Sequence, residues 1–304
     1  MTNDVPPVAN LVESSDALTS ADELRGRLTR DGYLFFRGLL DRSELVPITT
    51  HILHALERDS WVATTMVEGW TLSRHAYART AADLWPVIAQ TVRLEALHRL
   101  AHASTLQELI RDVLGEDAFG HPMKIVRVVL PTSVHPMQTL TPHQELRVMY
   151  AQDMLVSWCP LLDCPLELGG LAVLPGSHRQ GLVPLGTGAD ALAEGEAYAG
   201  ATWASTSYQA GDVILFHCLT LHAVLPNRTN RFRVSMESRW QRASEPVFVA
   251  GLRPYGGGDW STVCEGWSST RWIEVPDGLI VLDAPPDLET WRPRPSRFTM
   301  ASSV

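Results

Sequence analysis

Three residues in the middle of the chain have the types and spacing to bind one metal ion. His143 and Glu145 lie two positions apart, and His222 follows the glutamate 77 positions later. Two imidazoles and one carboxylate form the 2-His-1-carboxylate facial triad, which favours non-haem Fe(II) and leaves coordination sites open for O2 and substrates. Arg233, eleven residues after the second histidine, could hold an acidic co-substrate, because a guanidinium pairs with a carboxylate through two donors.

The chain around these residues is predicted to be mainly β. The β-branched run at 124–130 ends at Pro131, as a strand would. Residues two apart in a strand point to the same face, so His143 and Glu145 could reach one ion from the same side. The predicted strands are short and separated by turn residues without a helical pattern, which indicates an antiparallel sandwich or barrel. Further strands are predicted at 146–150, 154–160, 171–174, 213–216 and 232–240.

The N-terminal third is predicted to be mostly helical. Ser20 and Glu23 have the spacing of a capping box, and Gly32 would end the helix that they begin. Apolar residues recur at helical spacing in two later stretches. The other predictions here are a loose polar tail at 1–18, a strand at 33–36, a helix from about 41 to 56 and helices over 81–115.

Composition limits the class of protein. With 304 residues, 45% hydrophobic and 19% charged, the chain can bury a large core. The net charge of −9 and the lack of any Lys/Arg-rich run argue against a nucleic-acid partner. We expect neither a secretory signal nor a membrane span, because neither apolar pattern occurs. The four cysteines form no CxxC pair or metal-ligand array, which fits a cytoplasmic location.

Several ordered motifs make the chain resemble a known family. They are His143-Gln-Glu145, Trp158, Gly169-Gly-Leu-Ala-Val-Leu-Pro-Gly-Ser-His178, Gly211-Asp-Val-Ile-Leu-Phe216, His222, Pro226-Asn227 and Arg233, preceded by Asp31-Gly-Tyr-Leu-Phe-Phe-Arg-Gly-Leu39. Together they resemble the phytanoyl-CoA hydroxylase (phytanoyl-CoA dioxygenase) family of Fe(II)- and 2-oxoglutarate-dependent oxygenases. The likeness covers roughly residues 18–242. It implies a double-stranded β-helix (jelly-roll, cupin-like) core with flanking α-helices.

The resemblance implies an activity as well as a fold. His143, Glu145 and His222 would be the catalytic metal ligands, and Arg233 would bind 2-oxoglutarate. Trp158 would wall the oxoglutarate pocket or be a core aromatic residue, and Lys124 would add a polar contact or face solvent. The expected reaction is hydroxylation of a small molecule with O2 and 2-oxoglutarate, releasing succinate and CO2, with ascorbate added in vitro. A natural-product intermediate is the expected substrate.

Two positions depart from the family pattern. The family usually carries His-x-Asp, whereas this chain has Glu145, which is one methylene longer but supplies the same anionic oxygen. Because the carboxylate is retained, oxidation is favoured over the halogenation that related enzymes perform without it. Val224 stands where relatives often have a serine that helps to hold oxoglutarate, and valine cannot donate a side-chain hydrogen bond.

Some alternatives stay open at this level. His217 competes with His222 as the distal ligand, Arg231 competes with Arg233, and His178 is more typical of a turn-stabilising residue than of a ligand. Gln144 would point away from its neighbours and be structural. The alternative functions are a catalytically inactive jelly-roll binding protein and a metal-dependent enzyme that uses the triad without oxoglutarate.

We expect one domain over 1–304. It would consist of a mostly helical part (1–120), the jelly-roll core with the metal site (121–242) and a C-terminal extension packed on that core (243–304). The Ala- and Gly-rich region 186–200 suggests a mobile insertion, and 60–80 together with 186–205 are lid candidates. The oligomeric state is not predicted.

Overall fold

The computed structural model describes residues 8–64, 71–133, 142–183, 201–286 and 296–298. Its helices are α1 (Ala21–Asp31), α2 (Arg42–Arg58), α3 (Trp85–Val92), α4 (Glu95–Ala101), α5 (Ser104–Leu114), α6 (Leu146–Met149) and α7 (Trp260–Val263). Its strands are β1 (Val8–Asn10), β2 (Tyr33–Phe36), β3 (Val62–Thr64), β4 (Thr71–Leu72), β5 (Ala118–Val129), β6 (Leu155–Pro160), β7 (Leu171–Val173), β8 (Trp203–Ser205), β9 (Val213–His217), β10 (His222–Val224), β11 (Arg233–Arg242), β12 (Val247–Phe248) and β13 (Val281–Leu282).

Two sheets form the centre of the fold. One has the strand order β2-β9-β6-β11-β5 and the other has the order β1-β8-β7-β10. Apolar residues from the facing sides of both sheets, such as Phe35, Ile214 and Val173, share one buried cluster. A second cluster lies on the other side of the five-stranded sheet, where Leu34 and Leu215 pack with residues of α1 to α5. The molecule is therefore layered as helices, five-stranded sheet and four-stranded sheet, and the predicted mainly-β core with flanking helices is confirmed.

The two faces of β11 belong to different layers. Val234, Met236 and Trp240 lie in the helix-facing cluster, while Arg233, Ser235, Glu237 and Arg239 alternate with them along the strand. Because side chains in a strand alternate between faces, the second set points between the sheets, where Trp158 of β6 is the register partner of Glu237. A charged row thus enters the space between the sheets from β11.

The predicted N-terminal helices are present, and the predicted loose tail is wrong from residue 8 onwards. Ser20 caps α1 by accepting a hydrogen bond from the Glu23 amide at 3.3 Å, and Gly32 ends it in the left-handed region. Within 8–18, β1 pairs in parallel with β8, and the Ser14 amide donates to the Phe35 carbonyl at 2.7 Å. The tail is ordered because its backbone extends the four-stranded sheet.

The strand predicted at 146–150 is also wrong, since the chain there forms the one-turn helix α6. Glu145, which precedes it, already has helical dihedrals (φ −63°, ψ −23°). Leu146 and Met149 are buried whereas Val148 is 48% exposed, which is the three-residue spacing of a helix rather than strand alternation. The other predicted strands correspond to β2, β5, β6, β7, β9 and β11.

The described part of the C-terminal extension packs on the helices of the N-terminal third. Glu95 of α4 accepts hydrogen bonds from the amide and hydroxyl of Ser268 and from the Trp272 indole. Trp267 donates to the Arg93 carbonyl at 2.8 Å. The tryptophans therefore fix the extension by packing and by hydrogen bonding. The predicted mobile insertion 186–200 and residues 65–70 of the first lid candidate lie outside the described residues, whereas 60–64 and 71–80 are described and contain β3 and β4.

Among the helices of the described ranges, none combines the length and the hydropathy needed to cross a bilayer.

One close approach near the end of β10 yields a stability prediction. Gly169 has φ +82°, and a Cβ built there would overlap the Leu225 carbonyl oxygen that follows β10. We expect Gly169→Ala to lower the free energy of unfolding by more than the roughly 1–2 kcal/mol that left-handed backbone costs a non-glycine residue. Gly38→Ala, at φ +55° with no atom within 4 Å of the built Cβ, is the matched control and should show the backbone cost alone. Equal losses in chemical denaturation would contradict this account of Gly169.

Candidate metal centre

A short antiparallel bridge brings together donors that are far apart in the sequence. The His143 amide donates to the His222 carbonyl at 3.1 Å, and the His222 amide donates to the His143 carbonyl at 3.2 Å. Residues paired in this way present their side chains on the same face. The two imidazole centroids are accordingly 4.1 Å apart. His222 also pairs with Val173 of β7, so the four-stranded sheet supports the bridge.

Glu145 completes a three-donor cluster beside these rings. Its Oε1 lies 3.7 Å from Nε2 of His143 and 3.7 Å from Nε2 of His222. One ligand atom from each residue lies within 4.8 Å of the others, and no second group of at least three His, Cys, Asp or Glu meets this criterion within the described ranges. Donors about 2 Å from a shared ion lie about 3–4 Å from one another, so the arrangement fits a bound metal. The donor types are those of the facial triad.

Glu145 lies at the start of a helical turn, whereas we predicted that it lies in a strand. Because α6 begins directly after Glu145, its side chain extends from the first turn of a helix towards the two imidazoles. The longer glutamate arm suits this different backbone origin. The prediction that His143 and Glu145 point to one ion because of strand periodicity is wrong in its reason, although the three donors are adjacent.

The electrostatics keep the cluster in a form that binds cations. Burial alone would raise the pKa of Glu145, but the charge of Arg239 and the two adjacent imidazoles hold that pKa well below its usual value. Burial and the neighbouring His143 lower the pKa of His222, which favours the neutral ring. His222 Nδ1 lies 3.1 Å from the Thr220 carbonyl, so Nδ1–H donates there and Nε2 keeps its lone pair.

Arg233 is buried in an unusual state. It is 1% exposed, and its one hydrogen bond to another described residue runs from Nη1 to the Ser235 hydroxyl at 3.3 Å. Nε and Nη2 have no partner in the described part of the chain, and burial lowers the pKa of Arg233 to about 10. The guanidinium lies 5.8 Å from the ring centre of Trp158, whose Nε1 is likewise buried without a partner in the described ranges. Two sets of unused donors therefore lie close together between the sheets.

Comparison with known proteins identifies the family at this point. The model of the phytanoyl-CoA dioxygenase (PhyH) family matches residues 28–235, which is more than half of the chain and includes β2 to β10 and the four residues of the opening motif. The chain belongs to the phytanoyl-CoA dioxygenase family. The predicted family and its oxidoreductase class are confirmed.

Individual relatives agree with this family. The chain is 29% identical over 248 residues to a 1-deoxypentalenic acid 11-beta-hydroxylase of Streptomyces arenae, covering 74% of this chain and 82% of that protein. It is 26% identical over 272 residues to the enzyme of the same name from Streptomyces exfoliatus, covering 82% and 90%.

Several solved structures have the same fold as this chain. One is the non-haem alpha-ketoglutarate-dependent epimerase SnoN from nogalamycin biosynthesis, with a TM-score of 0.53, 20% identity and coverage of 75% of this chain and 84% of that chain. Another is the carbocyclase SnoK from the same biosynthesis, with a TM-score of 0.51, 19% identity and coverage of 80% and 88%. The predicted cofactors, Fe(II) and 2-oxoglutarate, agree with this family and with the three-donor cluster.

The structure places the rival residues away from the cluster. His217 accepts the Leu219 amide at Nδ1 and lies 3.2 Å from the Ser296 hydroxyl at Nε2, so it links the core to residues 296–298. His178 contacts the Thr29 carbonyl at 3.0 Å, so it joins its turn to α1. Arg231 lies before β11 and is half-buried, in contrast to the buried Arg233.

Gln144 has the structural role that was predicted for it. Its amide nitrogen donates to the Gly181 and Leu219 carbonyls at 2.9 and 2.7 Å, and its amide oxygen accepts the Val183 amide at 2.9 Å. Gln144, which lies between His143 and Glu145, therefore connects these two residues to the chain at 181–183 and to the chain just before His222.

Lys124 does not lie with the cluster. Its register partner is Ser238, and Ile125, next to it, is the partner of Glu237. Lys124 thus points to the helix-facing side of the five-stranded sheet, where its ammonium donates to the His121 carbonyl and lies 5.9 Å from the Trp240 ring. Lys124 is fully buried, so the predicted solvent-facing side chain is wrong. Because it lies on the helix-facing side, it does not contact a co-substrate between the sheets either. Burial lowers the pKa of Lys124 to about 7.

Arg239, which the sequence analysis did not single out, contacts the cluster directly. Its Nε and Nη2 both donate to Glu145 Oε2, at 3.1 and 2.9 Å. The signal was available in the sequence, since 233, 235, 237 and 239 share one strand face. Nothing in the sequence showed that this face meets the turn at Glu145.

The position of Lys124 leads to a pH prediction. The pKa of Lys124 is about 7 in the folded protein and has its ordinary, higher value in the unfolded chain. Between these two pH values the unfolded state binds more protons, so the contribution of Lys124 to the free energy of unfolding should rise with pH. We expect the stability of the native protein relative to Lys124→Met to increase from pH 7 to pH 10, by up to about 1.4 kcal/mol per pH unit. Chemical denaturation at several pH values measures this difference.

Lys124→Met should leave 2-oxoglutarate affinity unchanged, because the side chain lies on the other face of the sheet. A stability difference that does not vary with pH, or a clear loss of 2-oxoglutarate binding, would contradict the placement of Lys124.

Proposed function

We propose that this chain is an Fe(II)- and 2-oxoglutarate-dependent dioxygenase that hydroxylates a small molecule in natural-product biosynthesis. The observation that carries the proposal is the buried cluster of His143, Glu145 and His222 in a chain of the phytanoyl-CoA dioxygenase family. Succinate and CO2 would be released from the co-substrate. The names of the Streptomyces relatives support hydroxylation of a small molecule, and they support no particular substrate for this chain.

The donor set fits the iron that the proposal requires. Two neutral imidazole nitrogens and one carboxylate oxygen would hold Fe(II) and leave positions for the oxo acid end of 2-oxoglutarate and for O2. Iron with 2-oxoglutarate supplies the oxidising power, and the protein supplies orientation and exclusion of water. The low exposure of Glu145 (3%) and His222 (3%) is consistent with a water-poor site.

Arg233 is the residue that we propose for the distal carboxylate of 2-oxoglutarate. A buried guanidinium with two unpaired nitrogens carries a large desolvation cost that an anion would offset. Its planar donors match a carboxylate in two-point contact. The unpartnered Trp158 indole, beside the same guanidinium, is a second donor for this anion.

The metal site can be tested by binding alone. We expect anaerobic addition of Fe(II) and then 2-oxoglutarate to give a metal-to-ligand charge-transfer band, which requires both to bind together. His143→Ala and His222→Ala should each abolish this band and succinate formation, because removal of a ligand should exceed the roughly 10–100-fold loss of affinity seen for outer-sphere changes. His54→Ala, at an exposed histidine of α2, is the control and should keep the band.

The outcomes separate the alternative functions. A folded native protein that gives no band and binds no Fe(II) would favour a catalytically inactive binding protein, and one that binds Fe(II) but gives no band would favour a metal-dependent enzyme that does not use oxoglutarate. A band that persists in both histidine variants would rule out the three-donor site.

The role of Arg233 is tested by a matched pair of variants. We expect Arg233→Gln to weaken 2-oxoglutarate binding by about 30-fold or more, because loss of one partner of a buried charge pair costs about 2–5 kcal/mol. Fe(II) binding in the absence of 2-oxoglutarate should be retained. Arg231→Gln, two residues away and half-buried, should bind 2-oxoglutarate normally; the opposite result would transfer the role to Arg231.

A further inference from the structure

We infer that Arg239 is a positioning residue that makes Glu145 bind the metal through Oε1 alone. The inference rests on the proposed function, since it concerns how the same site holds its metal. It assigns different tasks to the two buried arginines of β11: Arg233 is open to an anion, whereas Arg239 is already paired with a carboxylate.

The contacts divide the two oxygens of Glu145. Oε2 accepts both hydrogen bonds from Arg239, whereas Oε1 is the oxygen that lies 3.7 Å from each imidazole Nε2. Both side chains are almost fully buried, at 2% and 4% exposure, so water competes little for either oxygen. The guanidinium therefore holds Oε2 and leaves Oε1 facing the imidazoles.

This division matters for the number of open coordination sites. A carboxylate can bind a metal through one or both oxygens, and the two-oxygen mode would occupy a position that the facial triad must leave open. An oxygen that already accepts two charge-assisted hydrogen bonds is a poor second ligand, because binding the metal would require those bonds to break. Arg239 thus favours the one-oxygen mode before any metal arrives.

The need for such a residue follows from the glutamate itself. Glutamate has one more rotatable bond than aspartate, and ordering it costs more conformational entropy. A fixed guanidinium removes that freedom in advance. Arg239 is in turn restrained by the β11 backbone and by Glu237, whose Oε2 lies 3.9 Å from Nη2 and whose Oε1 accepts from Arg127 at 2.6 Å.

The test is a double-mutant cycle read out by metal affinity. We expect Arg239→Gln to weaken anaerobic Fe(II) binding by about 10–100-fold, the range for groups that orient a ligand. Glu145→Asp, which is too short to keep both contacts, should also weaken binding. In the Glu145→Asp background, Arg239→Gln should add less than about 3-fold, because residues that act through one contact are not additive.

A second readout distinguishes positioning from general destabilisation. The ligand-field circular dichroism of the Fe(II)–2-oxoglutarate protein should change in Arg239→Gln, since the coordination mode of Glu145 changes. Arg242→Gln removes a partly exposed charge of the same strand that pairs with Asp117 and not with Glu145, so it should lower stability without changing this spectrum. If Arg239→Gln fails to fold, Arg239→Lys keeps the positive charge without the two-point fork and should still weaken Fe(II) binding and alter the spectrum.

The possible failures are distinguishable. Native-like affinity and spectrum in the folded arginine variants, or additive effects in the cycle, would overturn the inference and leave the proposed function intact. A native protein that does not bind Fe(II) would overturn both.

Discussion

The bridge between His143 and His222 is the constraint on which the site depends. Two backbone hydrogen bonds join segments that are almost eighty residues apart, and strand pairing then requires both side chains to leave on one face. Long-range pairing of this kind costs loop-closure entropy, so it must be supported by other contacts. Here Gln144 provides that support, because its side chain bonds to the segments that flank the bridge. Gln144, which lies between His143 and Glu145, is thus as important for the geometry of the site as the candidate ligands themselves.

The charges between the sheets are the second constraint. Arg127 pairs with Glu237, and Arg239 pairs with Glu145, so two cations and two anions offset one another in a buried region. Arg233 remains as the extra cation of this row, with two nitrogens unpaired among the described residues. Burying an unpaired charge opposes folding, and a protein retains such a group when a ligand compensates for it. The positive excess therefore suggests an anionic co-substrate more strongly than the family resemblance alone.

Much of this could be predicted from the sequence because local signals agreed with the fold. Ser20 and Gly32 mark the ends of α1, and the β-branched run at 124–130 lies within β5. The prediction failed where tertiary pairing decides the outcome. The backbone at 8–10 is ordered by an adjacent strand, and Glu145 begins a single helical turn that is too short to show a periodic pattern. Lys124 was misplaced because a strand residue's face cannot be assigned before the register is known.

The presence of a glutamate where the family usually has an aspartate has a structural explanation. Glu145 reaches the imidazoles from a helical turn, and Arg239 reaches Glu145 from the opposite sheet. The two positions are thus coupled: the longer glutamate arm without the arginine would be less ordered, and the arginine without the glutamate would lose both of its hydrogen bonds to a carboxylate. The face of β11 that carries Arg239 also carries Arg233, while its other face packs on the helices. The register of β11 therefore determines both how the strand packs on the helices and where Arg233 and Arg239 lie in the site.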